Sequence, residues 1–259
     1  MFLKKIIDKS IFDKNGYVLL STHLKNSSLF NKLCNEIDWR LNKQIKKSNL
    51  KKLGGYIVGN LNINQGLLGS KLYSLVFKKE FKSYFEKLTS KKVSLFDIRY
   101  SGNLTLPGKG TQLFHIDGGY KSEMYLVSIA TQEITVDNGP TEICVGSHIK
   151  PMSFDEFFFS KKKIKKLTMK KGQIIIRKHN LWHRGTKNYS IKPRLLLSFV
   201  ITPKNKKSKN EQVSSKFQIL RNSFGNNLTG KLYEVIYVKL RFLVIFIKIL
   251  LSYFKKISN

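Results

Sequence analysis

Three residues have side chains and spacing suited to binding a metal ion. His115 and Asp117 stand two residues apart in QLFHIDGGYKS, and His183 follows in NLWHRGTKN. Residues i and i+2 of a β-strand point to the same side, so His115 and Asp117 would present an imidazole and a carboxylate together. One further histidine from a later strand completes a 2-His-1-carboxylate triad, which holds Fe(II) and leaves coordination positions open.

Arg194 follows His183 by eleven residues and begins the apolar stretch RLLLSFVIT. An arginine that faces inward from so apolar a strand needs a partner, because an unpaired buried charge is costly. A guanidinium binds a carboxylate bidentately. We therefore expect Arg194 to bind the far carboxylate of a dicarboxylate, for which 2-oxoglutarate is the candidate.

Each of these residues also has a structural interpretation. Taken alone, His115 could be a core histidine and Asp117 a turn former before two glycines. His179 and His183 have the i, i+4 spacing of a helical zinc site, but the preceding strand-like run and the missing glutamate disfavour that site. His148, in VGSH, is expected to shape a turn.

The elements that must position these side chains change in character along the chain. Residues up to about 90 are mostly helical in pattern, with a turn and strand in FDKNGYVLL. From about residue 92, short β-branched or aromatic runs alternate with Gly, Asn and Pro, which favours an antiparallel sandwich or barrel. The predicted class is mainly β with flanking helices (α+β).

We expect three segments along the chain. Residues 1–203 form the main domain, 204–230 a polar linker that includes KNKKSKNEQVSSK, and 231–259 a basic amphipathic helix. In that helix a charged residue recurs every seventh position: Glu234, Arg241, Lys248 and Lys255. Its apolar runs are too short to span a bilayer, which favours a helix lying on an anionic membrane surface. Packing against the barrel or a partner, and a tilted or re-entrant insertion, stay open.

The composition limits the class of partner. The chain has 48 Lys+Arg against 16 Asp+Glu, a formal charge of +32, which favours polyanions, anionic membranes or acidic substrates. Two cysteines without CxxC spacing indicate a reducing compartment, and the N-terminus lacks the apolar core of a signal peptide. We therefore expect a cytoplasmic protein, with membrane association through residues 231–259.

These motifs, in order, resemble one enzyme family. The pattern HID, NGPTEICVGSH and GQIIIRKHNLWHRGTKNYSIKPR is similar to the phytanoyl-CoA dioxygenase family of Fe(II)/2-oxoglutarate oxygenases, over roughly residues 10–203. The resemblance implies a double-stranded β-helix (jelly-roll, cupin-like) barrel, with Fe(II), 2-oxoglutarate and O2 as cofactor, cosubstrate and co-reactant. His115, Asp117 and His183 then hold the iron and Arg194 the cosubstrate.

Three further residues are candidates for cosubstrate contact. Asn188 and Ser190 match the family pattern between the distal histidine and the arginine, although they could simply cap a turn. Gln112 precedes the metal pair and could face the cosubstrate. Val145 and Gly185 depart from the family pattern, which usually has proline and serine there. A glycine at 185 lacks the hydroxyl with which that serine could form a hydrogen bond near the cosubstrate.

The resemblance implies a hydroxylase that releases succinate and CO2. Related halogenases replace the carboxylate ligand with a small residue, so Asp117 favours hydroxylation. The substrate, small or lipid-linked, and the oligomeric state are left open. The alternatives are a non-catalytic barrel that binds polyanions or a membrane surface, and an oxygenase directed at nucleic acid. The oxygenase directed at nucleic acid is disfavoured because the sequence has no recognition helix or stacking motif.

Overall fold

The computed structural model describes residues 9–47, 60–108, 110–120, 123–204, 215–220 and 228–257. The described helices are α1 (Lys9–Asn15), α2 (Ser28–Lys47), α3 (Leu67–Val76), α4 (Lys79–Thr89), α5 (Phe154–Phe159), α6 (Leu228–Lys239) and α7 (Arg241–Ile257). The described strands are β1 (Tyr17–Leu20), β2 (Asn60–Asn64), β3 (Phe96–Thr105), β4 (Tyr125–Ala130), β5 (Thr141–Cys144), β6 (Ile164–Leu167), β7 (Ile174–Lys178), β8 (His183–Gly185), β9 (Arg194–Pro203) and β10 (Gln218–Ile219). The predicted mixture of a strand-rich core and flanking helices is confirmed.

The strands form two antiparallel sheets. The larger has the order β1-β7-β4-β9-β3-β2-β10 and the smaller has the order β6-β5-β8. Residues of both sheets line one cavity, among them Ser198 on β9 and His183 on β8. Two antiparallel sheets facing each other across such an interior are the jelly-roll architecture that the sequence predicted.

The alternation of side chains along each strand places apolar core residues on one face of the large sheet and cavity-lining residues on the other. On β9, Leu195, Leu197 and Phe199 are buried in the core that the sheet shares with α2, α3 and α4. Leu196 and Ser198, between them, line the cavity. Because successive side chains of a strand point to opposite faces, one face carries the packing and the other carries the chemistry.

Three segments differ in detail from the sequence-based prediction. Within the mostly helical pattern predicted up to about residue 90, the stretch LYSLVFKKEFKSYFEKL is not one continuous helix: Lys78 adopts an extended backbone that separates α3 from α4. The segment predicted as a linker, 204–230, contains β10, which pairs with β2, and Phe217 and Ile219 enter the core. Residues 205–214 and 221–227 of that segment lie outside the described residues. The single helix predicted for 231–259 is α6 and α7, with a break at Leu240, and its last two residues are also outside.

Candidate iron site and cosubstrate pocket

His115 and His183 are brought together by antiparallel backbone pairing between β8 and the segment that contains His115. The N–H of each residue donates to the carbonyl oxygen of the other at 2.9 Å, and the ring centroids lie 4.4 Å apart. Each ring uses Nδ1 in the same way: it lies 2.9 Å from the Leu113 carbonyl oxygen in His115, and 3.0 Å from the Leu181 carbonyl oxygen in His183. A carbonyl only accepts, so Nδ1 carries the proton and Nε2 presents its lone pair, as a metal requires.

Asp117 completes the cluster. Its backbone N–H donates to the His179 carbonyl oxygen at 3.2 Å, which continues the pairing that holds His115. One potential ligand atom from each of His115, Asp117 and His183 lies within 4.8 Å of the other two. Two neutral imidazole nitrogens and one carboxylate oxygen at that spacing fit the iron that the sequence predicts for this site.

The charges of the site also suit a divalent cation. Burial and, after it, the nearby guanidinium of Arg177 lower the pKa of His183 to about 3, so the ring is neutral at physiological pH. Burial alone raises the pKa of Asp117, but attraction to His183 and Arg177 outweighs it and holds the pKa well below its ordinary value. The carboxylate is therefore ionised and the imidazole is neutral, which is the protonation state of metal ligands.

Arg177 is a residue of the site that the sequence analysis missed. Its Nη2 donates to Asp117 Oδ2 at 2.7 Å and lies 3.2 Å from His183 Nε2. It belongs to β7, where Ile174 and Ile176 are in the core shared with the helices, while Arg177 lines the cavity. The signal was present in QIIIRK, where an arginine ends an otherwise apolar strand, as Arg194 begins one.

The cavity beside the cluster has a volume of about 190 Å³. Its wall combines the three candidate ligands with small polar side chains of the large sheet. Those side chains are Asn62, Ser101, Asn103, Ser128 and Ser198. A cavity of this size holds a small acid such as 2-oxoglutarate, and a larger molecule must extend through its opening.

Arg194 begins β9, whose Leu196 and Ser198 line the cavity, but its own side chain donates two hydrogen bonds to a backbone carbonyl oxygen outside the described cavity lining. It is 1% exposed, and its Nε and Nη2 donate to the Gly139 carbonyl oxygen at 3.1 and 2.5 Å. Its Nη1 lies 3.3 Å from Oδ1 of Asn103, a residue of the cavity wall. Burial lowers the pKa of Arg194 to about 10, so it stays charged at physiological pH. The described lining of the cavity includes Asn103 but not Arg194.

The other predicted cosubstrate contacts have mainly structural roles in this arrangement. Asn188 donates to the carbonyl oxygens of Thr105 and Lys192 and accepts from Ser190, so both residues shape the turn before β9. Gln112 does line the cavity, and its Oε1 accepts the Gly185 N–H at 2.8 Å. Gly185, the donor of that bond, stands at the position where the family usually has a serine.

The helical zinc site is excluded. His183 lies in β8 rather than in a helix, and both ring nitrogens of His179 lie within 3.0 Å of backbone carbonyl oxygens, those of Met124 and Gly119. His148 Nε2 lies 2.9 Å from the Asp13 carbonyl oxygen, which agrees with its predicted turn role.

The C-terminal helices pack beside the segment that carries His115. Tyr237 Oη accepts the Leu113 N–H at 2.7 Å, and Arg241 donates to the carbonyl oxygens of Thr111 and Gln112 at 2.6 and 3.0 Å. Lys248 lies over the Phe154 ring, 5.4 Å from its centroid. Two members of the predicted charged stripe, Arg241 and Lys248, therefore face the domain. None of the described helices is long and apolar enough to cross a bilayer.

A jelly-roll barrel with a His-x-Asp…His cluster and a buried arginine at the start of a later core strand, here β9, is the architecture of the iron- and 2-oxoglutarate-dependent oxygenases. The family model of phytanoyl-CoA dioxygenase (PhyH) matches residues 12–196. The chain therefore belongs to the phytanoyl-CoA dioxygenase family, and His115, Asp117 and His183 are its candidate iron ligands.

Solved structures share the fold at low sequence identity. AviO1 from Streptomyces viridochromogenes Tue57 is 13% identical, with a TM-score of 0.59 over 80% of this chain and 99% of that one. EctD from S. alaskensis with bound Fe is 18% identical, with a TM-score of 0.57 over 77% and 76%. The epimerase SnoN in complex with Fe3+, alpha ketoglutarate and nogalamycin RO is 11% identical, with a TM-score of 0.57 over 83% and 94%.

Proposed function

We propose that this protein hydroxylates a small or lipid-linked molecule in a reaction that depends on Fe(II), 2-oxoglutarate and O2. The observation that carries the proposal is the convergence of His115, Asp117 and His183 on one point beside a polar cavity. When bound, iron with 2-oxoglutarate and O2 supplies the oxidising chemistry, with succinate and CO2 as products.

The chain's own residues hold, orient and neutralise the reactants. His115 and His183 offer Nε2 because backbone carbonyls fix their Nδ1 protons. Asp117 supplies the negative charge and fills a coordination position, which favours hydroxylation over halogenation. Arg194 is charged and bonded to Asn103 in the cavity wall, so its remaining N–H groups are the proposed partners of the far carboxylate of 2-oxoglutarate.

The test compares the full chain with His115→Ala and Asp117→Ala in Fe(II) binding and in O2-dependent succinate formation. We expect both variants to lose both properties. Undiminished iron binding in either variant contradicts the proposal. A screen of candidate substrates for succinate release above the uncoupled background then identifies the reaction, and a protein that binds anions but consumes no 2-oxoglutarate favours the non-catalytic alternative.

We further propose that the outward face of α7 docks on an anionic membrane. With Arg241 and Lys248 turned inward, the exposed side chains of α7 between 242 and 254, the part whose side chains the structure describes, are aliphatic or aromatic. Phe242, Phe246 and Phe254 are 72%, 57% and 59% exposed. Monomeric soluble proteins seldom leave such a patch in water. Two residues of the predicted charged stripe, Arg241 and Lys248, therefore contact the domain, and apolar side chains between them are left exposed.

Charge complementarity favours lipid over a second copy as the occupant. The chain carries a formal charge of +32, so two copies repel each other whereas anionic lipid attracts them. α5 packs on α7, exposes Phe158 and Phe159 at its end, and is followed by exposed lysines at Lys161 and Lys163. Each lysine near an anionic surface contributes roughly 1 kcal/mol.

Point variants test docking better than a truncation, because removing α6 and α7 also uncovers Leu113. The triple variant Phe242→Ser, Phe246→Ser, Phe254→Ser is compared with a control at exposed apolar residues of α2 and α3: Leu29→Ser, Trp39→Ser, Leu67→Ser. We expect the first, but not the control, to lose sedimentation with phosphatidylserine-containing vesicles. Equal binding by all three proteins contradicts docking through α7, as does self-association that only the α7 variant abolishes.

A further inference from the structure

Arg177 is a buried cation whose local contacts do not account for all of its donors. Its side chain is 9% exposed, and the three residues that precede it in β7 are isoleucines. Burying a guanidinium in such surroundings is costly unless its N–H groups are paired. Nη2 has Asp117 and His183 as neighbours, but Nη1 is buried without a hydrogen-bond partner among the described residues.

The Nη2 contacts use the same atoms that a metal ion needs. Asp117 Oδ2 and His183 Nε2 are 3.5 Å apart, and Arg177 Nη2 is within 3.2 Å of both. A metal ion bound by the imidazole takes the lone pair of Nε2 to which Arg177 is directed. The guanidinium therefore has to withdraw from His183 when a metal binds.

The charge balance indicates what it then meets. Without metal, the negative charge of Asp117 is matched by Arg177. A divalent cation bound in the same cluster leaves two surplus positive charges at the inner end of the cavity, where the low dielectric strengthens their repulsion. An anion beside the metal removes that repulsion and gives Nη1 an acceptor.

We propose that Arg177 is an anion-binding residue of this pocket. Arg177 holds a carboxylate beside the metal, while Arg194 binds the far carboxylate of the cosubstrate. This inference rests on the proposed function. The carboxylate belongs either to the keto-acid end of 2-oxoglutarate or to an acidic substrate. Asn103, Ser128 and Ser198 in the same wall offer neutral donors to the rest of the bound molecule.

The experiment measures binding rather than turnover, on the full chain loaded with Co(II) and without O2. Oxalate is the probe for the keto-acid end, since it chelates a metal but has no far carboxylate. Arg177→Met is compared with Arg194→Met and with the charge-retaining Arg177→Lys. Arg177→Gln replaces Arg177→Met if the latter does not fold, as judged by circular dichroism.

We expect Arg177→Met to weaken oxalate binding about 10- to 100-fold, the loss of a hydrogen bond to a charged group, and Arg177→Lys to restore part of it. Arg194→Met is expected to leave oxalate binding unchanged and to weaken 2-oxoglutarate binding. Co(II) affinity of Arg177→Met stays equal or rises, because the competing cation is gone.

The alternative source of the carboxylate has its own readout. If oxalate binding is unchanged, acetate is titrated into the Co(II)- and 2-oxoglutarate-bound protein, and weaker acetate binding by Arg177→Met assigns the site to an acidic substrate. Unchanged binding of both probes overturns the inference while leaving the proposed function intact. Failure of the unchanged protein to bind Co(II) overturns the proposed function, and this inference with it.

Discussion

His115 and His183 each have ring Nδ1 within 3.0 Å of the carbonyl oxygen of the residue two positions earlier, Leu113 and Leu181. The same local geometry therefore fixes both tautomers, and the antiparallel pairing of the two backbone segments brings both Nε2 atoms to one point. The candidate metal site is built from two copies of one backbone arrangement, with Asp117 added at the next position on the same side.

We expect His115→Ala and His183→Ala each to weaken Co(II) binding by more than about 100-fold. Loss of a residue that only orients a ligand costs 10- to 100-fold, and loss of a ligand itself should exceed that. Isothermal titration calorimetry under nitrogen measures the affinity. The exposed His23→Ala is the matched control, and a comparable loss in that variant would show that the effect is not specific to the site.

Arg194→Lys is expected to weaken 2-oxoglutarate binding to the Co(II)-loaded protein and to lower stability. A lysine keeps the charge but lacks the planar fork that contacts the Gly139 carbonyl oxygen and Asn103 together. Calorimetry gives the affinity and urea denaturation gives the free energy of unfolding. Wild-type affinity in this variant would argue against Arg194 as the cosubstrate clamp.

Arg241→Met should lower the free energy of unfolding by about 1.5 to 3 kcal/mol, the range for hydrogen bonds to charged groups. The substitution removes two such bonds, to the Thr111 and Gln112 carbonyl oxygens. It should also weaken Co(II) binding, because those carbonyls belong to the segment that leads into the proposed metal ligand His115. Lys239→Met, an exposed change at the end of α6, is the control. Equal stability of the two variants contradicts this role for Arg241.

The metal-free protein should lose stability as the pH falls below 6.5. Burial lowers the pKa of His148 and of His183 in the folded chain, the latter to about 3. Below pH 6.5 the unfolded chain therefore binds protons that the folded chain does not bind. Each histidine contributes a slope of up to about 1.4 kcal/mol per pH unit. Urea denaturation between pH 5 and 8 measures it, and His148→Gln should flatten the dependence. A flat wild-type profile would contradict the burial of these rings in uncharged form.

Phe199→Ala is expected to destabilise the fold by about 3 to 5 kcal/mol, the range for a large aromatic core side chain. Phe199 is fully buried and contacts the rings of Tyr73 and Phe77 at centroid distances of 5.7 and 5.4 Å. Because it faces away from the cavity, the folded variant should bind Co(II) normally. Leu67→Ala, at an exposed position, should cost less than about 0.5 kcal/mol.

Much of the site followed from the sequence because it depends on short-range rules. The two-residue period of a strand places His115 and Asp117 on one side. The ordered family motifs identify His183 and Arg194 at a distance. The same strand period, applied to QIIIRK, would have placed Arg177 opposite the core-facing isoleucines.

The sequence by itself determined the residue types, the strand faces and the family pattern. The tertiary structure decided which distant groups meet. Pairing of β7 with β4 sets Arg177 across from Leu126, in the cavity, while the packing of α7 turns Arg241 and Lys248 toward the barrel. The Gly139 carbonyl oxygen reaches Arg194 across 55 residues. Such contacts depend on long-range register and helix packing, which local spacing does not encode.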